Sequence, residues 1–568
     1  MKEGFLLTNR RGGYALITPR TQSKYDGVFF MHQDRIFKVI DSFEIEGELN
    51  EITHKFWRAE KVVDGKRVSY FMPNGKNLFE VDSEGEIRFR LLLDMRETND
   101  MREWGRFYEL EEHDDKLLIR YEKRDTQEEP DGEYTMYLAI SKSDIRYEQV
   151  DEWVRREYEY DKSRNPHSPA RYVYNPLILT GERFLFSFGM DKQKVLKDLE
   201  MDVDEMKEAK REQTLKLLEH QPIEDHRIDL AYKCSLYSVD QLSTKQGMFA
   251  GLPWFFQYWA RDELISLKSL IMTGKVREAS RILERYLGLI GDDGRVPNRY
   301  PPTDLCSADG IGWLMMRLHD ILPYDDIVQE HRDRIEIGVN SLMEHHIRDG
   351  LAYNTALETW IDTEWDNDTR EGFRIEIQAL FLHMLKFMHE LTGNHKYKRQ
   401  EEDMRNLVRD KFWNGEVLAD GLDDWTIRPN IFLAAYLYPE LLSKEEWTEC
   451  FKNALDALWL DWGGVTSIQK DSPLFCDEYT GENNKSYHRG DSWFFVNNFT
   501  ALVLHRINKD EFRDEIEKII LASTYEILES GIVGGHAELS SAKELRSEGS
   551  PVQLWSSATY IELIREIF

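Results

Sequence analysis

Two acidic residues set the chemistry this chain can do. Asp362 closes the run Leu357-Glu358-Thr359-Trp360-Ile361-Asp362, and Glu538 follows a glycine pair in Gly534-Gly535-His536-Ala537-Glu538. Cleavage of a bond between sugars needs one carboxylic acid to protonate the glycosidic oxygen and one carboxylate to take a proton from water. The acid must have a raised pKa, and Trp360 and Ile361 are expected to raise that of Asp362 by desolvating its anion. A single Glu or Asp in a loop is ordinarily solvated surface, so the weight rests on the other loops that accompany these two.

Those loops carry polar and aromatic residues suited to hydroxyl groups. In Trp259-Ala260-Arg261-Asp262 an Arg–Asp couple can donate to and accept from vicinal hydroxyls, while Trp259 offers a flat apolar face. The plainer reading makes Asp262 a carboxylate at a positive helix N-terminus. The next loop brings Asn298 and Arg299, and Asp309 stands where an N-cap is expected. Around Asp362 lie Glu358, Glu364, Asp366 and Asp368; their spacing lacks the glycine and terminal glutamate of an EF-hand, so no metal site and no cofactor are expected. Tyr487-His488-Arg489-Gly490-Asp491-Ser492-Trp493 supplies donors and a stacking face at a helix start, with Asp491 or Ser492 as candidate caps. Asp420-Gly421-Leu422-Asp423-Asp424-Trp425 is similar in kind.

The elements that must position these loops divide the 568 residues into two main parts. Residues 1–190 hold short alternating runs such as Tyr14–Pro19, Gly27–His32 and Glu86–Asp94, broken by turn residues, which predicts a β-sandwich. The charged and aromatic run Arg146–Tyr160 reads as paired strands. Residues 191–224 are rich in Lys, Glu, Met and Leu at helical spacing and read as a connecting helical linker. Residues 225–568 predict twelve helices: 226–243, 262–273, 276–290, 308–321, 330–347, 373–392, 396–413, 428–437, 444–458, 491–506, 510–529 and 551–567. Junctions after even-numbered helices are mostly short, and those after odd-numbered helices are long and rich in Gly, Pro, Trp and Asp. Six hairpins closed into an (α/α)6 barrel would open all the long loops at one end. An open solenoid would also alternate, but it would need polar caps on its terminal helices.

Composition narrows the partners. A net charge of −31 argues against a phosphate backbone, whereas a neutral glucan is not repelled. No apolar run approaches the length of a membrane span. The start Met-Lys-Glu-Gly-Phe-Leu-Leu-Thr-Asn has no signal-peptide core, so a cytoplasmic location is expected. Four cysteines, Cys234, Cys306, Cys450 and Cys476, lie far apart and read as reduced side chains.

Taken in order, Trp259-Ala260-Arg261-Asp262, Val296-Pro297-Asn298-Arg299, Thr359-Trp360-Ile361-Asp362, Ile375-Glu376-Ile377-Gln378-Ala379-Leu380, Tyr487-His488-Arg489-Gly490 and Gln553-Leu554-Trp555-Ser556 resemble the amylo-α-1,6-glucosidase family of glycogen debranching enzymes. Asn9-Arg10-Arg11-Gly12-Gly13-Tyr14 and Lys24-Tyr25-Asp26-Gly27 are similar to that family's N-terminal domain. The resemblance implies a glucoamylase-like barrel and an inverting mechanism, with Asp362 as general acid and Glu538 as general base. It also implies that Arg261, Asp262 and Asp309 hold the terminal glucose of an α-glucan or glucose-containing oligosaccharide. Trp259, Asn298, Arg299, Trp360, Glu376, His488, Arg489, Trp493 and Trp555 complete the expected substrate site, with Glu376 supporting the pocket. The chain departs from the family at Gln257-Tyr258 and Asp491-Ser492, and it lacks the glucanotransferase domain of the two-activity enzymes. These departures keep an α-1,4 exo-acting glucoamylase open as an alternative. A phosphorylase, a trehalose or mannosylglycerate hydrolase, and an inactive glucan-binding protein on the same fold remain further alternatives.

Overall fold

The computed structural model describes residues 4–124 and 132–568; the first three residues of the N-terminal stretch read above lie outside it. The chain forms two compact units. One comprises Met1–Pro222, Asp240–Lys245 and Glu529–Gly535, and the other Ile223–Val239, Gln246–Leu528 and His536–Phe568.

The first unit is antiparallel β. Its main strand order is Phe5–Thr8, Tyr14–Ile17, Gly27–His32, Arg35–Ile45, Leu78–Glu97, Arg171–Gly189, Tyr134–Ser141, Lys116–Lys123 and Arg106–Glu112. The period-two pattern is visible within Leu78–Glu97, where Ile87, Phe89 and Leu91 are buried while Arg88 and Arg90 face outward. Such alternation folds the sheet around one apolar interior that includes Phe30, Phe43, Phe79 and Phe186. The run expected as paired strands at 146–160 differs in partner. Ile145–Arg156 pairs with Arg171–Gly189, and Glu159–Arg164 is a short helix. Helices Lys192–Asp198 and Val203–Leu217 follow, capped by Asp191 and Asp202. Val195 and Leu199 pack with Leu118 and Ala139, so this segment rests on the sheet.

The second unit is helical, and each of the twelve expected helices is present to within about three residues at either end. Six of them, α1 (Ala260–Met272), α2 (Gly310–Ile321), α3 (Ile375–Thr392), α4 (Asn430–Leu437), α5 (Phe494–Asn508) and α6 (Leu554–Ile567), touch in sequence, and α6 returns to touch α1. These helices are buried on nearly every side; in α1 Ala260 through Leu267 are all inside. The helices between them are one-faced instead. Val276–Gly288 buries Ala279, Ile282, Leu283, Tyr286 and Leu287, the i, i+3, i+4 stripe of a helix with one side in water. Gly393, left-handed at φ 69°, ends α3, and Asn394 at once caps His395–Phe412, which makes the tight turn. No helix among the described residues is long and apolar enough to cross a membrane.

Candidate active site

The six long loops are laced to one another in a ring. Tyr258–Trp259 pairs with Arg299–Tyr300, joining the first loop to the second. Ala308 N donates to Glu358 O at 2.9 Å, joining the second to the third. Arg374 bridges to Gly421, and Arg428 Nη1 donates to His488 O at 3.0 Å. Ser492–Trp493 pairs with Leu539–Ser540, and Gly251–Leu252 with Val552–Gln553, which closes the circuit back to the first loop. Backbone pairing of this kind brings Asp362 and Glu538, 176 positions apart in sequence, to one place.

Arg261 sits at the start of α1 and spans two carboxylates. Its Nε donates to Asp309 Oδ2 at 2.6 Å and its Nη1 to Asp362 Oδ2 at 3.1 Å. Asp309 precedes α2 but makes no side-chain cap; Ser307 Oγ accepts from Gly310 N instead, which frees the Asp309 carboxylate for Arg261. Across the site Glu538 accepts from Ser550 N at 2.9 Å and from the Tyr487 hydroxyl. Asp262 lies close enough to both Asp362 and Glu538 to feel their charges, and it accepts from Gln553 Nε2 at 3.2 Å. Asp362 keeps about a third of its side chain exposed, so its carboxylate is reachable from solvent while Glu538 is buried.

The electrostatics correct one expectation. Burial opposes ionisation of Asp362, as its apolar neighbours suggested. The imidazole of His488, 3.5 Å away, and the Arg261 guanidinium outweigh that burial and hold the carboxyl below its usual value. Asp262 and Asp491 are raised instead: burial pushes Asp262 well up, with the charges of Glu538 and Asp362 pushing further against the pull of Arg261, and burial pushes Asp491 well up too. Burial also drives the His488 imidazole down to about 4, so it is neutral near pH 7.

The remaining expected residues fall into two groups. One group is committed to holding the loops. Arg370 uses all five N–H donors, on Asp420 Oδ1 and Oδ2, Glu376 Oε1 and Oε2 and Thr359 Oγ1, so Glu376 faces Arg370. Arg489 is fully buried, with its guanidinium on Asp368 and on the Thr363 and Asp368 carbonyls. Trp360 donates to Asn430 Oδ1 at 2.6 Å, and its ring meets His488, Trp493 and Phe495 edge to face. Trp493 stacks flat on His488 and donates to Tyr487 O. Asp491 and Ser492 do not cap α5, whose N-cap position is Trp493.

The other group is left wanting partners. Trp259 Nε1, Asn298 Oδ1, Gln553 Oε1, Trp555 Nε1 and both His488 nitrogens are buried without a hydrogen bond. Arg299 lies over the Trp259 ring at 5.0 Å. Gln553 and His488 stand beside Asp262 and Asp362, so unpaired polar atoms adjoin two of the carboxylates. Three residues of the site escaped the sequence reading. Gln553 and Tyr487 stand within quoted motifs, so their place was readable though not their role. Arg370 had no motif to announce it.

The family described as Amylo-alpha-1,6-glucosidase matches residues 231–562. No curated protein matches the chain by sequence. Among solved structures the chain is similar to a bacterial glucoamylase complexed with acarbose, with 13% identity, 99% of this chain and 93% of that chain covered, and a TM-score of 0.62. The likeness is one of fold, and the fold is glucoamylase-like. A rhamnosidase from Klebsiella oxytoca with rhamnose bound aligns at TM-score 0.48 and 10% identity, over 84% of this chain and 92% of that one. A mannosylglycerate hydrolase from Thermus thermophilus aligns at 0.45 and 11%, over 58% and 99%. Neither of the last two carries an argument.

Proposed function

We propose, for a chain that belongs to the amylo-alpha-1,6-glucosidase family and is a glycoside hydrolase, that it releases glucose from α-1,6 branch points of glycogen-like glucans with inversion. In this reading the long loops open at one end of an (α/α)6 barrel that makes residues 225–568 the catalytic domain. Asp362 protonates the glycosidic oxygen as the bond to the anomeric carbon breaks. Water attacks that carbon from the opposite face and gives its proton to Glu538, leaving β-glucose and a shortened glucan. Arg261, Asp262 and Asp309 hold the terminal glucose, Trp259 stacks on it, and Asn298, Gln553 and Trp555 pair with its hydroxyls. Arg489 and Glu376 act through the loops they brace.

The observation that carries the reading is the meeting of Asp362, Asp262 and Glu538, with Gln553 on Asp262 and His488 beside Asp362. The low pKa of Asp362 in the free protein fits a donor armed by its substrate. A glucose hydroxyl that takes the Arg261 Nη1 donor loosens one of the holds on the carboxylate, and burial then favours its protonated form. The raised pKa of Asp262 favours a second reading in which Asp262 is the proton donor. Asp262→Asn would then cost as much kcat as removing the acid, while Asp362→Asn would chiefly raise KM.

Proton NMR of the purified protein acting on isomaltosyl and maltosyl glucans tests the proposal through the linkage cut and the anomer first released. β-Glucose with α-1,6 preference is expected. β-Glucose with α-1,4 preference makes the protein a glucoamylase. Release of α-glucose refutes inversion, and no release from either substrate refutes the α-glucan assignment.

A further inference from the structure

The β unit contains a cleft of about 850 Å³ lined wholly by its own residues, among them Thr18, Asp26, Asp41, Ser42, Lys61 and Arg156. That volume is within the range of small-ligand sites. One of its cations is underused. Lys61 is buried, its Nζ donates to a single acceptor, Thr18 O at 2.7 Å, and among the described residues it enters no ion pair. An ammonium has three donors, so two remain for a group entering the cleft. Arg156, by contrast, is engaged: its Nε lies 3.6 Å from Asp41 Oδ2, and its Nη2 donates to Ser42 Oγ and Glu44 Oε1.

The charge balance selects the class of ligand. Four carboxylates line the cleft against three cations, so an anion gains nothing by entering. Asp41 is already matched by Lys38 at 2.7 Å and by the Tyr158 hydroxyl. Burial pushes Asp26 up to about 6 and Lys61 down to about 8, as expected where neither charge has full solvation. Interleaved donors and acceptors beside the apolar faces of Ile45, Leu49 and Val63 suit a molecule whose hydroxyls both donate and accept and whose C–H faces are apolar.

We propose that this cleft is a second saccharide-binding site, formed within the β unit for an uncharged oligosaccharide and separate from the site of cleavage. It would tether a glucan chain without cutting it, and it stands whether or not the helical unit cleaves α-1,6 bonds.

Hydrogen–deuterium exchange of the full chain, with and without maltoheptaose, tests the proposal. Slower exchange is expected in peptides spanning residues 16–27 and 41–49. Lys61→Met should weaken that protection about tenfold by removing a buried charged donor. Leu49→Arg, from a half-buried position at the cleft, should do the same while hydrolysis of a short glucoside is unchanged, and it serves if Lys61→Met does not fold. No protection at the cleft in the wild type, or protection that survives Leu49→Arg, overturns the proposal. Protection by sodium phosphate in place of maltoheptaose overturns it in favour of an anion site. Failure of the glucosidase reading shows separately, as absence of glucose release.

Discussion

Replacing His488 with phenylalanine tests how the proposed proton donor is held. The imidazole is fully buried and stacked on Trp493, with ring centroids 4.8 Å apart and planes 3° from parallel. Its Nε2 lies 3.5 Å from Asp362 Oδ1. Phenylalanine keeps the stack and nearly the volume and removes only the ring nitrogens. Burial lowers the imidazole from 6.5 to about 4, so the unfolded chain binds a proton in a range where the folded protein does not. The stability tied to this group is therefore complete above about pH 6.5 and is lost as pH falls towards 4. A gap of about 2.5 units is worth about 3 kcal/mol. The stability difference between His488→Phe and wild type should move by about that much in the variant's favour between neutral pH and pH 4. Thermal melts of both proteins across that range give the difference directly, and parallel curves would refute a buried neutral imidazole. The same substitution removes the imidazole that faces Asp362 at 3.5 Å, so the carboxyl should rise and carry the alkaline limb of kcat/KM upward with it. A limb that stays in place would count against Asp362 as the acid.

Asp362→Asn and Glu538→Gln should each lower kcat by about 10²–10⁴-fold with unchanged melting temperature, and near wild-type turnover in either removes its assigned role. Tyr487→Phe strips one donor from Glu538; kcat should fall about tenfold with KM unmoved, and steady-state kinetics decide it. Arg370→Met strands Glu376 and leaves Asp420, whose carboxyl Arg370 helps hold down to about 2 against burial, with only Arg374, Arg428 and Asn430. It should cost about 3–5 kcal/mol of stability by thermal or denaturant unfolding. A melting point equal to wild type would show that other groups brace the third loop.

Much of this was legible in the chain because helices and loops differ so sharply in composition. Stripes such as Ala279, Ile282, Leu283 and Tyr286 mark an outer helix, and glycines at 274 and 393 mark the short turns. Asp362 and Glu538 could be singled out because they sit in loops that the helix count sends to one end. The pairings among charged residues were not legible. Whether Asp362 is raised or lowered depends on Arg261, 101 positions earlier, and on His488, 126 positions later, and no local pattern encodes which of several arginines reaches it. Asp309 and Asp491 looked like caps because Asp near a helix start ordinarily is one. Here competing partners, Arg261 for the first and Ser486 for the second, draw the carboxylates away.

The residues that brace the loops and the other buried side chains of the site differ in how fully their polar atoms are paired. Arg370 has every donor satisfied, and Arg489 and Trp360 have theirs committed to the loops, in surroundings as dry as those of Trp259, Asn298, Gln553 and Trp555. A buried polar group without a partner costs about 1–3 kcal/mol. Two of the residues that carry such groups face the carboxylates directly: Gln553 donates to Asp262, and His488 lies 3.5 Å from Asp362. Hydroxyl groups of a ligand would recover those interactions, and a ligand rich in donors and acceptors recovers the most. In the proposed reading, the sugar held between Asp362 and Glu538 would supply those hydroxyls.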